Sequence, residues 1–211
     1  MKKLLLGDFA VARGAYEAGV KVATAYPGTP STEITEEISR YDEVYSEWSP
    51  NEKVALEVGI GAAIRGARTL VSMKHVGLNV ACDPLFTSVY TGVNAGLVIA
   101  VADDPSVFSS QNEQDTRLTA VSARIPVIEP SDSREAKDFT KAAFEISEKY
   151  DTPVILRITT RVAHSQSQVE LCEREERPVK EYKKDIAKYV MMPGNAINRH
   201  LVVEARMKQL A

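Results

Sequence analysis

The tetrapeptide Ser49-Pro50-Asn51-Glu52 puts a carboxyl at the expected start of a helix, Lys53 to Arg65, just after a β-rich run from Val44 to Trp48. Ser49 is a good N-cap, proline suits a first helical position, and Glu52 follows the cap by three residues. That spacing makes Glu52 a capping-box glutamate, bonding back to the Ser49 amide. The sharper alternative is a carboxyl held at a helix start so that it faces a ligand and exchanges a proton with it. The helix behind it carries Ala55, Gly59, Ala62 and Ala63, with Gly66 just beyond. Steps of three and four put most of these on one face, where another backbone can approach closely. Each glycine inside a helix costs about 1 kcal/mol against alanine, so a close packing contact has to offset it.

Two further stretches carry groups suited to chemistry. The β-type run Val20 to Tyr26 stops at Pro27-Gly28, and Thr29-Pro30 repeats the cap-plus-proline signal before a helix expected from Ser31 to Arg40. Strand-to-helix turns are where α/β sheets bind ligands, and helix N-termini offer free amides to anions. Tyr26 and Thr29 are therefore candidate substrate contacts, with a plain N-cap as the alternative for Thr29. A strand from Thr69 to Met73 ends in Lys74-His75-Val76-Gly77-Leu78-Asn79. A lysine beside a histidine at a strand's C-terminal end can meet an anionic substrate, and histidine titrates near neutral pH. The plainer role of a lone histidine is structural hydrogen bonding. Gly77 permits close backbone approach, and Asn79 is expected to cap a helix running to about Tyr90.

These stretches, with Ser109-Ser110-Gln111-Asn112-Glu113-Gln114-Asp115-Thr116-Arg117, resemble the pyrimidine-binding domain of thiamine-diphosphate enzymes. The resemblance is strongest to the alpha subunits of the indolepyruvate:ferredoxin oxidoreductase family, within the 2-oxoacid:ferredoxin oxidoreductases. It implies that Glu52 is the catalytic glutamate, set at a ring nitrogen of the cofactor's aminopyrimidine. It also implies cofactor contacts from Thr29, Gly77, Asn79 and Gln111, and substrate contacts from Tyr26, Thr29, Lys74, His75 and Arg117. Arg117 suits a carboxylate by bidentate bonding, although a surface arginine would read the same way. The implied activity is oxidative decarboxylation of a 2-oxoacid, such as an aryl pyruvate, to an acyl-coenzyme A with electrons passed to ferredoxin.

The resemblance further implies that the site is shared. Mg²⁺ and the diphosphate belong to a second domain marked by a GDG motif, which this sequence lacks. Iron–sulfur clusters need about four cysteines; the chain has two, Cys82 and Cys172, so any cluster lies in another part or partner. Expected partners are the remainder of an alpha subunit or a separate diphosphate-binding subunit, a beta subunit, ferredoxin, the 2-oxoacid and coenzyme A, in an oligomer. The chain is read as the first part of a longer alpha subunit or as a split subunit. Two rival readings are the alpha subunit of a non-oxidative 2-oxoacid decarboxylase, and a catalytically silent assembly domain in which Glu52 is only a cap.

The elements that must position these residues follow from the apolar runs. Ala95 to Ala102 is continuously apolar, as a parallel strand covered on both faces should be. Short strands also fit Ile125–Ile128 and Val154–Ile158, giving about six strands alternating with helices. That pattern predicts a doubly wound, mainly parallel α/β sheet. Asp103-Asp104-Pro105 reads as a solvated turn, and Ser106 to Arg117 as a surface or site loop. After Thr160 the character changes: residues 166–211 are dense in charge and read as a linker or strap, ending in an amphipathic helix with Leu201, Val202 and Ala205 on one face. Residues 1–165 are expected to form the α/β domain. With 211 residues and a net charge of −3, and no basic patch, nucleic-acid binding is disfavoured. No apolar run reaches the ~18 residues of a membrane span, and the apolar start meets Asp8 too early for a signal peptide, so a cytoplasmic location is expected.

Overall fold

The strand Leu97–Asp103 is buried along its whole length, which only a sheet covered on both faces allows. The computed structural model describes residues 1–211. The first half contains β1 (Lys2–Leu6), α1 (Gly7–Glu17), β2 (Val22–Ala25), α2 (Thr32–Ile38), β3 (Tyr45–Trp48), α3 (Glu52–Ile64), β4 (Thr69–Lys74), α4 (His75–Val80) and α5 (Cys82–Thr91). The second half contains β5 (Leu97–Asp103), α6 (Thr116–Ala123), β6 (Val127–Ile128), α7 (Ser133–Tyr150), β7 (Val154–Thr159), α8 (Thr160–His164), β8 (Gln166–Glu170), α9 (Ile186–Tyr189) and α10 (Pro193–Leu210). Strands β2 to β7 form one parallel sheet in the order β3-β2-β4-β5-β7-β6, the doubly wound arrangement expected. The connection from β2 runs to one side and that from β4 to the other. A crevice therefore opens between their C-terminal ends.

Alternate residues of each strand face opposite layers. Leu70, Val98, Ala100 and Leu156 pack with α1, α2 and α7, while Val71, Met73, Ile99 and Ile155 pack with α3, α5 and α6. Helix α3 lies very close to the sheet. Thr24 Oγ1 donates to Ala55 O at 2.8 Å, and a Cβ on Gly59 would stand 2.4 Å from Val71 Cγ2. Gly66 lies past the helix end with φ +98°, a conformation that favours glycine. Gly61 faces open space, so of the three glycines only Gly59 is required by packing against the sheet.

Of the two readings of the terminal segment, linker or strap, its contacts are those of a strap, and it opens with a strand. Residues Gln166–Glu170 form β8, antiparallel to β1, a ribbon that charge pattern alone did not reveal. Beyond it the chain runs along the N-terminal ends of the strands. Glu175 N donates to Glu17 O, and Lys180 N donates to Gly66 O. Arg174 donates to Tyr16 O and Val20 O. In α10 the buried face is Val203 with Arg206, not the expected Leu201, Val202 and Ala205; Leu201 is 67% exposed. Arginine decides the orientation: Arg206 donates to Val89 O at 2.8 Å and Arg199 bonds Asp151 at 3.1 Å. No helix is long and apolar enough to cross a membrane.

At that same end Glu148 accepts from Arg68 Nε at 2.9 Å, from Gly96 N at 3.0 Å and from Lys180 Nζ at 3.1 Å. Burial alone would raise its pKa, but these donors outweigh it and hold the carboxyl at about 2, against an ordinary 4.5. A depressed folded pKa stabilises the fold above the unfolded value, and the gain disappears as pH falls through the folded one. Glu148→Gln should therefore cost about 2–3 kcal/mol in urea unfolding at pH 7, with the gap to wild type closing between about pH 4.5 and pH 2. Gly59→Ala should cost about 1–3 kcal/mol by the same measurement. Gly61→Ala should stabilise by about 0.5–1 kcal/mol.

Candidate functional site

The helix carrying Glu52 is capped by the residue before it. Asn51 is the N-cap, with Oδ1 accepting from Val54 N at 2.9 Å, and Glu52 is the first helical residue. The capping box expected from Ser49 and Glu52 does not form. Ser49 N instead donates to Ala25 O at 2.8 Å, and its hydroxyl is buried without a partner. Asparagine accepts the amide three residues on as well as serine would, and that shifts the helix start by two residues. The Glu52 carboxyl is left with no hydrogen bond or ion pair to the chain.

That carboxyl lies against Gly77. A Cβ at Gly77 would sit 2.4 Å from Glu52 Oε1 and 2.7 Å from Cδ, so glycine there makes room for the side chain. Gly77 belongs to the short helix α4, which leaves the C-terminal end of β4 beside the crevice. Asn79 lies inside α4, so it is not the expected cap; α5 begins after Ala81 without a side-chain cap. Asn79 is exposed.

Lys74 joins three loops. A Cβ on Gly28 would be 3.2 Å from Lys74 Cβ, so the turn after β2 rests on the lysine stem. The ammonium donates to Ser109 O at 2.7 Å in the loop after β5. His75 Nε2 lies 3.1 Å from Asn112 O in that loop. A carbonyl only accepts, so Nε2 carries hydrogen. The other ring nitrogen, Nδ1, is buried with no partner. Tyr26 is 39% exposed at the mouth of the turn, and Thr29 is exposed beside it. Thr29 does not cap α2. Ser31 occupies that position, with its hydroxyl donating to Gly28 O at 2.7 Å, while Thr32 Oγ1 accepts from Gly28 N at 2.9 Å. The turn is thus closed by its own serine and threonine.

The loop after β5 is pinned by the acid pair, which is buried rather than solvated: Asp103 is 0% and Asp104 1% exposed. Asp103 accepts from Thr116 N at 3.0 Å and from Arg157 Nε at 2.7 Å. Asp104 accepts from Ser109 N at 2.8 Å and Thr160 Oγ1 at 2.8 Å, and from the Ser110 hydroxyl. Burial pushes the Asp104 carboxyl up, but these donors and the nearby Lys74 ammonium win and hold it at about 2. An adjacent acid pair closing a fully apolar strand was the available sign of a buried role; a proline next in line masked it. Gln111 stands exposed in this loop. Arg117 is not gathered with Lys74 and His75. It is the second residue of α6, with its guanidinium bonded to Asp115 at 2.7 Å and 3.6 Å from Glu129.

The family described as "Pyruvate flavodoxin/ferredoxin oxidoreductase, thiamine diP-bdg" matches residues 13–208. The chain is 49% identical to the indolepyruvate oxidoreductase subunit IorA of Thermococcus kodakarensis, over 98% of this chain and 33% of that protein. It is 50% identical to the IorA subunit of Pyrococcus horikoshii over 94% of this chain and 32% of that one, and 29% identical to the 2-oxoglutarate synthase subunit KorA of Methanothermobacter thermautotrophicus over 80% and 47%. The chain thus spans about a third of the length of the IorA subunits it matches. The solved 2-oxoglutarate:ferredoxin oxidoreductase of Magnetococcus marinus shares the fold, with a TM-score of 0.79 and 16% identity over 99% of this chain and 45% of that one. With almost its whole length matched and Glu52 set at the mouth of a doubly wound sheet, the chain belongs to the thiamine-diphosphate-binding family of pyruvate flavodoxin/ferredoxin oxidoreductases.

Proposed function

We propose that this chain supplies the pyrimidine-side half of a thiamine-diphosphate site in a 2-oxoacid:ferredoxin oxidoreductase that acts on an aryl pyruvate such as indolepyruvate. The observation that carries this reading is the Glu52 carboxyl. Asn51 performs the capping, nothing in the chain engages the carboxyl, and Gly77 is cut away to admit it. A first-turn carboxylate so placed is free to meet a basic ring nitrogen. The names of the IorA relatives support the choice of 2-oxoacid.

Thiamine diphosphate, when bound, supplies a carbon nucleophile for the substrate carbonyl and an electron sink for decarboxylation. Glu52 would hold a proton at the aminopyrimidine ring nitrogen, and the Gly77 backbone would lie beside it. Thr29, Asn79 and Gln111, exposed around the crevice, would complete the chain's contacts with the cofactor. Lys74 and His75 would orient the anionic substrate. The Lys74 ammonium would attract the carboxylate, and His75 Nδ1, unpartnered and able to accept, would take a hydrogen bond. Tyr26 would close the mouth against water. Arg117, bonded to Asp115, would reach a carboxylate only by exchanging that partner. Mg²⁺ and the diphosphate would be held by a facing domain or subunit, and ferredoxin, coenzyme A and iron–sulfur clusters would meet the site through other parts of an oligomeric complex. Val80 and Phe108, exposed apolar residues of α4 and of the loop after β5, fit a facing surface of that kind.

Calorimetric titration of thiamine diphosphate with Mg²⁺ into the chain mixed with a diphosphate-binding half is the direct test. Binding in the mixture that Glu52→Gln weakens supports the reading; equal binding and turnover for the variant would sink it. Because Asn51 keeps the cap, Glu52→Gln should leave thermal unfolding within about 2 °C of wild type, while turnover of the complex drops roughly 10²-fold or more. Gly77→Ala should favour the helix locally yet push the Glu52 carboxyl aside. Its turnover should fall as that of Glu52→Gln does, with circular dichroism unchanged.

A further inference from the structure

Asp8, Glu33 and His164 come from the first turn of α1, the first turn of α2 and the last residue of α8. One ligand atom of each lies within 4.8 Å of the other two, and His164 Nε2 is 3.9 Å from Glu33 Oε1. Asp8 is 0% exposed. Neither of its carboxylate oxygens has a hydrogen-bond partner, and Glu33 Oε2 is likewise buried and unpartnered. Asp8 is exceptional in this chain. The other fully buried acids are satisfied: Glu17 by Arg13 and the Cys172 amide, and Asp103 by Arg157 and the Thr116 amide. An unpaired buried carboxylate is costly, and such groups are normally paired, protonated or bound to a metal. Burial, reinforced by the Glu33 charge, holds the Asp8 carboxyl well above the usual carboxylate range.

We propose that Asp8, Glu33 and His164 form a binding site for one divalent transition-metal cation, of the zinc or manganese class, that ties α1, α2 and α8 together. Two carboxylates would neutralise the ion's double charge, and one imidazole nitrogen selects against Mg²⁺ and Ca²⁺, which prefer all-oxygen shells. Metal–ligand bonds of about 2.0–2.2 Å require the three side chains to draw together. Glu33 and His164, with side chains 34% and 40% exposed, have the freedom to do so against the fixed Asp8. The site needs no thiamine diphosphate, so it stands apart from the Glu52 reading. Since α2 follows directly on the turn from Tyr26 to Ser31, a bound ion would steady that turn.

The test is calorimetry of Zn²⁺ and, separately, Mn²⁺ into the metal-stripped full chain, with Mg²⁺ in excess and no thiamine diphosphate. The manganese arm guards against zinc capture by Cys82 or Cys172. The expected result is one equivalent per chain, with affinity lowered roughly tenfold or more by either Asp8→Asn or His164→Gln. Mn²⁺ should raise the unfolding temperature of wild type but of neither variant. His164→Gln alters a part-exposed side chain, so its fold is retained even if Asp8→Asn disturbs packing. No saturable binding by wild type, or wild-type affinity in both variants, would overturn the proposal.

Discussion

The approach of α3 to the sheet governs the geometry of the molecule. Gly59 against Val71, and Ala55 O accepting from Thr24, fix the helix axis over β2 and β4. Glu52 begins that helix, so its carboxyl is carried to the C-terminal edge of the same two strands. A side chain at residue 59 would move the axis outward, and the first turn would move with it. The position of one carboxyl thus depends on a packing contact two turns away.

The opposing wall is built on a different principle. Lys74, His75, Asp103 and Asp104 are all buried at strand ends, and each binds a backbone or hydroxyl group of a neighbouring loop. Parallel strands finish with unpaired polar groups at one edge, and buried charges there must find partners. The loop after β5 supplies them, so it is ordered by the same residues that line the crevice. The two ends of the sheet divide the work. The C-terminal edge carries the crevice, while the N-terminal edge is crossed by the charged segment after β8. There, Glu17 and Glu148 anchor it through the Cys172 amide and the Lys180 ammonium.

Some elements were legible because their signals are local. The six parallel strands followed from β-branched apolar runs bounded by glycine and proline, and the crevice from the strand-turn-helix order around Tyr26 and Lys74. The β1–β8 ribbon escaped because its two strands are about 160 residues apart in the chain and only their pairing makes them strands. The docking face of α10 escaped for a related reason: arginine heads at 199 and 206, rather than leucine, meet the Asp151 carboxylate at the end of α7 and the Tyr90 and Val89 carbonyls of α5.

The sequence by itself determined the alternation of strands and helices, the family resemblance and the choice of Glu52 as the candidate carboxyl, because these rest on residue order, spacing and motifs. Tertiary structure decided what those residues are free to do. It gave the cap of α3 to Asn51, placed Gly77 under the glutamate, buried the Asp103-Asp104 pair, turned Arg117 toward Asp115 and gathered Asp8, Glu33 and His164 from three distant elements. The physical reason is that hydrogen-bond partners and desolvation are properties of a place in space. A chain's order specifies that place only once the sheet has closed around it.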